Sequence, residues 1–109
     1  MRSTLRFAIA SCLFSLAAIA QDTGSIFGTI TDTSGSAVSG VKVELTDVDR
    51  KITTEGAAND SGEYLFTPVR VGRYELKASK TGFETILRTN LVLEVQQRMR
   101  VNLTFRGAL

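Results

Sequence analysis

The stretch "NDSGEYLFTPVRVGRYELKAS", Asn59 to Ser79, decides the fold. Asn59 and Asp60 have side chains that hydrogen-bond their own backbone, and Gly62 accepts a positive φ, so the stretch opens on a turn. Tyr64 and Phe66 then alternate with Glu63, Leu65 and Thr67. Pro68 and Gly72 are expected to bracket a second turn, after which Tyr74, Leu76 and Ala78 alternate with Arg73, Glu75 and Lys77. A period of two puts successive side chains on opposite faces of a strand. The stretch therefore reads as two half-buried strands, aromatic and apolar on one face, polar on the other.

The same pattern continues in both directions. Upstream, Ile26, Gly28 and Ile30 share a face, "DTSGSAVSG" makes a loop, and Val41, Val43 and Leu45 alternate with Lys42, Glu44 and Thr46. "TDVDRK" is a polar turn, and Ile52 to Ala57 is a weak, threonine-rich strand. Downstream, "KTGF" turns before a strand expected over Glu84 to Thr89. Leu91, Leu93 and Val95 then share a parity that Met99, Val101, Leu103 and Phe105 keep, opposite Arg98, Arg100, Asn102 and Thr104. No segment after residue 20 shows helical spacing over ten residues. Short strands with one polar face bury the other only by packing sheet on sheet. The expected fold is all-β: a small antiparallel Greek-key β-sandwich of about seven strands.

The first twenty residues stand apart. "MRSTLRFAIASCLFSLAAIA" places Arg2 and Arg6 before an uncharged, mostly apolar run from Phe7 to Ala20, closing on Ala18-Ile19-Ala20. That is the pattern of a secretory signal peptide cut between Ala20 and Gln21. As a membrane span the run of 14 residues covers about 21 Å of a hydrocarbon core ~30 Å thick, which is too short. Cys12 lies near the start of the apolar run rather than at its close, which argues against a lipidated N-terminus. The expected organisation is a signal peptide over 1–20 and one domain over 21–109, in a protein exported to the periplasm or outer membrane.

Setting the signal aside changes the charge. The whole chain carries 13 basic and 11 acidic residues, and without Arg2 and Arg6 the balance is 11 to 11. No basic face is indicated, so nucleic acid is not an expected partner. Cys12 is the single cysteine, so no disulfide is expected in the domain.

The order of these signals resembles the carboxypeptidase regulatory-like domains, transthyretin- or prealbumin-like sandwiches grouped with the starch-binding-domain-like folds. The resemblance rests on "GTITDTSGSAVSGVKVEL" at 28–45, "TEGAANDSGEYLFTPVRVGRYELKASKTGFET" at 54–85 and "LVLEVQQRMRVNLTF" at 91–105. Gly62, Tyr64, Phe66, Gly72, Tyr74, Leu76, Gly82 and Phe83 match the family's Gly-x-Tyr-x-Phe, Gly-x-Tyr-x-Leu and Gly-Phe pattern in order. Ser39 and Val71 stand where the family often has proline. The closing segment is similar to this domain's end where it precedes the plug and barrel of TonB-dependent outer-membrane receptors. The resemblance thus implies a non-catalytic accessory module whose partner is a protein or an adjoining receptor domain of the cell envelope. A stand-alone domain and the first part of a receptor both stay open, and residues 21–109 are too few to form such a barrel themselves.

Chemistry is constrained by what is missing. There is no histidine, so neither a histidine-rich zinc site nor a Ser-His-Asp or Cys-His nucleophile can form. Asp47, Asp49 and Asp60 are expected in loops, too sparsely spaced for a calcium loop, and read as turn residues. A Lys–Asn isopeptide crosslink is rejected because residues 25–31 hold no lysine. No catalytic residue, metal or cofactor is expected. Carbohydrate is the rival ligand. Sugars stack on exposed rings, but the chain has no tryptophan, and Tyr64, Phe66, Tyr74 and Phe105 fall on inward parities. Phe27 has the parity opposite to Ile26 and Ile30, so it is expected to face outward and marks a possible partner surface.

Overall fold

The turn at Asn59–Gly62 forms as its residue types dictate. Asn59 Oδ1 accepts from the backbone N–H groups of Ser61 and Glu63, each at 2.9 Å. Gly62 has φ +77°, and a Cβ there would lie 2.5 Å from the Ile30 carbonyl oxygen, so glycine is required on two counts. A computed structural model describes residues 22–107 of the chain, and the expected cleavage site between Ala20 and Gln21 lies outside them. The described residues form eight strands: β1 (Thr23–Asp32), β2 (Lys42–Asp47), β3 (Ile52–Ala57), β4 (Glu63–Arg70), β5 (Gly72–Ser79), β6 (Ile86–Leu93), β7 (Arg98–Arg100) and β8 (Leu103–Phe105).

Two sheets result, one in the order β4-β1-β7 with β8 also on β1, the other in the order β3-β2-β5-β6. Hairpins join β2 to β3 and β5 to β6, while the connections after β1, β3, β4 and β6 cross between sheets. The core lies between the sheets and holds Ile26, Ile30, Val41, Val43, Leu45, Tyr64, Phe66, Val69, Tyr74, Leu76, Leu93, Leu103 and Phe105. Every aromatic expected inside is inside: Tyr64, Phe66, Tyr74 and Phe105 are all buried.

The structure adjusts four local expectations. First, β7 and β8 run parallel to β1, although every other pairing is antiparallel. A period-two pattern fixes faces, not direction, and β7 reaches β1 by crossing from the opposite sheet rather than through a hairpin. Second, Pro68 sits inside β4, not at a turn. β4 is an edge strand, where a missing N–H is tolerated, and the chain reverses instead at Val71 and Gly72. Third, one strand spans Ile86–Leu93 where a strand over Glu84 to Thr89 was expected, and Val95 is exposed in the crossover turn between β6 and β7. That turn is closed by Gln97, whose side chain accepts from the Glu94 N–H at 2.9 Å. Fourth, Asp47 is not in a loop: it ends β2 and is buried.

Candidate functional site

The two outer faces of the sandwich differ in kind. On the β3-β2-β5-β6 sheet part of the polar set pairs within the face, while Glu75 and Lys77 form no ion pair among the described residues. Lys42 pairs with Glu55 at 3.0 Å and Glu44 at 3.9 Å, and the Thr46 and Thr53 hydroxyls share a hydrogen bond of 3.0 Å. Leu87 and Val92 sit singly at its β6 margin, opposite Lys77 and Arg73. This is an ordinary solvated surface.

The outer face of the β4-β1-β7 sheet is built around Phe27. Its register partners are Leu65 on β4 and Arg100 on β7, so all three lie in one row across the sheet. Phe27 is half-buried, and Leu65 beside it is 62% exposed. The Arg100 guanidinium carbon lies 4.9 Å from the ring centroid and that of Arg98 lies 5.6 Å away, both within cation–π range. Neither arginine forms an ion pair among the described residues, where Lys42, Arg50 and Arg73 do. Phe27 therefore faces outward as its parity predicts. Leu65, Arg98 and Arg100 were not singled out by the sequence. Their alternation marked them as outward, but only the parallel pairing of β7 with β1 brings them to Phe27.

A cleft of about 350 Å³ opens on a different side, between the edge strands β3 and β4. Ile52 and Leu65 stand at its mouth, both exposed, over Leu45, Phe66 and Tyr74. Its polar groups are spent on each other. Asp47 accepts from the Arg50 backbone N–H at 3.0 Å and the Arg50 guanidinium at 2.5 Å, while the Tyr74 hydroxyl donates to the Arg70 carbonyl at 2.7 Å. Burial raises the Asp47 carboxyl, yet the Arg50 backbone N–H and guanidinium outweigh it and hold the group below its usual value. Burial pushes the Tyr74 hydroxyl up, with the nearby Asp47 charge adding to it. With the Tyr74 hydroxyl also donating to Asp47 Oδ2 at 3.5 Å, the cluster links the β2–β3 turn to β5 and presents no unpaired acid. Among the described residues no group of three or more His, Cys, Asp or Glu could hold a metal ion.

These features define a class: a small β-sandwich module with one outer face built around Phe27 and a cleft between its edge strands. The chain belongs to the carboxypeptidase regulatory-like domain family, whose model matches residues 25–106. A comparison with curated proteins finds no match. Among solved structures, a Bacteroides uniformis protein whose proposed role is carbohydrate binding matches with a TM-score of 0.63 at 18% identity, over 78% of this chain and 41% of that one. The 3-chlorocatechol 1,2-dioxygenase of Rhodococcus opacus gives 0.65 at 8% identity, over 82% and 61%. A chain of a cohesin–X-dockerin complex from Acetivibrio cellulolyticus gives 0.60 at 15% identity, over 75% and 56%. At these identities the likeness is one of fold alone. The chain spans only part of the length of each of them.

Proposed function

We propose that this domain is a non-catalytic interaction module of the cell envelope, exported by the signal peptide over residues 1–20, and that it docks a protein partner through the Phe27 face. The adjoining domains of a TonB-dependent outer-membrane receptor are the partner class that the sequence resemblance favours. One observation carries the reading: Phe27, Leu65 and Arg100 lie in one row with Arg98 beside it, an apolar and cationic patch whose two arginines form no ion pair among the described residues. Aromatic and arginine side chains together are the residues most enriched at protein interfaces. No histidine is available to an acid–base or nucleophilic mechanism, and the dioxygenases among the similar structures share a fold, which does not imply a function.

Carbohydrate binding is the second reading, favoured by the proposed role of one similar structure. It is weaker on geometry, because the guanidinium groups of Arg98 and Arg100 already occupy the Phe27 ring where a pyranose would stack, and the other core aromatics are buried.

The test is a photo-crosslinking amino acid placed at Leu65 and, as a control, at Thr53 on the opposite face, in cells exporting the full chain. The reading expects discrete adducts with an envelope protein from position 65 and none from 53. Equal adducts from both positions, or none from either, contradict it. Saturable binding of a soluble glycan, lost in Phe27→Ala, would move the second reading ahead.

A further inference from the structure

The Phe27 face ends on a strand edge that no described strand pairs with, and that edge specifies the chemistry of what can join it. The Ser25 N–H donates to the Gln97 carbonyl at 2.9 Å, and the Val101 N–H donates to the Phe27 carbonyl at 2.7 Å. In a parallel ladder alternate residues bond to the same neighbour. Gln97, Met99 and Val101 therefore turn their backbone toward β1. Arg98 and Arg100 turn their N–H and C=O groups the other way, to an edge where no strand of the described residues pairs with them. The same two residues carry the guanidinium groups stacked on Phe27. Backbone donors and acceptors and two cations thus converge on one three-residue edge.

We infer that β7 accepts an extended acidic protein segment as an added strand, with carboxylates two residues apart on the side facing Arg98 and Arg100. This rests on the reading of the Phe27 face as a protein-docking surface and names the partner's chemistry. Strand addition takes affinity from main-chain hydrogen bonds and specificity from alternate side chains. The spacing of two follows because only every second residue of the added strand shares the face of Arg98 and Arg100. The charge follows from the two guanidinium groups, which form no ion pair among the described residues and donate charge-assisted hydrogen bonds to carboxylates. Glu63 is an acid on this face. It lies across β1 beside Thr29 and forms no ion pair with either arginine among the described residues. A second copy of this chain is disfavoured by the same residues, because pairing β7 with β7 sets arginine against arginine, a recognised guard against edge-to-edge association.

The full exported chain is titrated with an eight-residue peptide alternating Glu and Thr, with one alternating Lys and Thr, with a block peptide of four Glu then four Thr, and with a polyuronate. Hydrogen exchange is followed at the Arg98 and Arg100 amides. The proposal expects the alternating acidic peptide to bind best, to weaken with added salt, and to slow exchange at those two amides. The double variant Arg98→Glu/Arg100→Glu, checked for an unchanged melting temperature, should lose at least about tenfold in affinity and come to prefer the Lys peptide. Equal binding of the alternating and block peptides, tighter binding of the polyuronate, or an unaffected double variant would overturn it. Crosslinks from Leu65 without any acidic-peptide binding would overturn this inference while leaving the docking face itself standing.

Discussion

The Tyr64 hydroxyl donates a 2.5 Å hydrogen bond to the Val101 carbonyl, spanning the place where β1 narrows at Gly28. A Cβ on Gly28 would fall 1.9 Å from that same carbonyl oxygen, so the bond and the glycine form one arrangement. It ties β4 to the link between β7 and β8. The Thr29 N–H meets the Asn102 side chain at 3.0 Å beside it, replacing a ladder bond that the link interrupts. Burial pushes the Tyr64 hydroxyl well up, so it stays protonated and remains a donor at physiological pH.

Removing that donor alone should therefore be measurable. Tyr64→Phe leaves the Val101 carbonyl without its hydroxyl partner, and is expected to cost about 1–3 kcal/mol, the usual price of an unsatisfied buried acceptor. Tyr64→Ala also opens a cavity between the sheets and should cost about 3–5 kcal/mol. Urea melts of both variants check the order. A Tyr64→Phe variant that melts like wild type would show that the hydrogen bond contributes nothing.

Gly28→Ala tests the close approach itself. The added methyl meets backbone, which cannot swing aside as a side chain could. The variant should lose at least ~3 kcal/mol, beyond ordinary overpacking, and hydrogen exchange should quicken first at the β7–β8 segment. Wild-type exchange there would show that β7 does not depend on this contact.

Acid sensitivity should centre on Asp47. Its carboxyl is held below the usual value in the fold, so its stabilising contribution is complete above the unfolded pKa of about 3.9 and is lost as pH falls through the lower folded value. Asp32 acts in the same direction, lowered chiefly by the Ser34 hydroxyl and backbone N–H, but from an exposed position. With no histidine in the chain, the melting temperature should be level between about pH 5.5 and 8 and decline below about pH 4. Asp47→Asn should flatten that decline. An unchanged acid limb in the variant would place the titrating group elsewhere.

Chelation should leave the fold alone. Among the described residues no group of three or more His, Cys, Asp or Glu could hold a metal ion, so the melting temperature in EDTA should equal that in buffer. A fall of many degrees would reveal a cation site.

The fold was legible because nearly every core position follows a period of two: Tyr64, Phe66, Tyr74, Leu76 and Ala78 are buried where their parity puts them. Legibility failed where direction or edge position decides. Nothing in "LVLEVQQRMRVNLTF" distinguishes a hairpin from a crossover, so Val95 was assigned a core parity that the turn at Glu94–Gln97 breaks. Pro68 reads as a turn residue until β4 is known to be an edge. The candidate site was half visible. Phe27 announced itself by its parity, but its neighbours Leu65, Arg98 and Arg100 come from strands 38 to 73 residues away along the chain, joined only by register. Asp47 hid its role because a part-buried ion pair with Arg50 three residues on looks, in sequence, like any polar turn.

The central claim is that the Phe27 face serves docking and not folding. It is tested most directly by reading one variant two ways, Phe27→Ala in the full chain carrying a photo-crosslinker at Leu65. The account predicts a stability loss under ~1 kcal/mol, as expected for a surface change, together with loss of the position-65 adducts. A variant that keeps its adducts at wild-type yield, or one that unfolds outright, would contradict it.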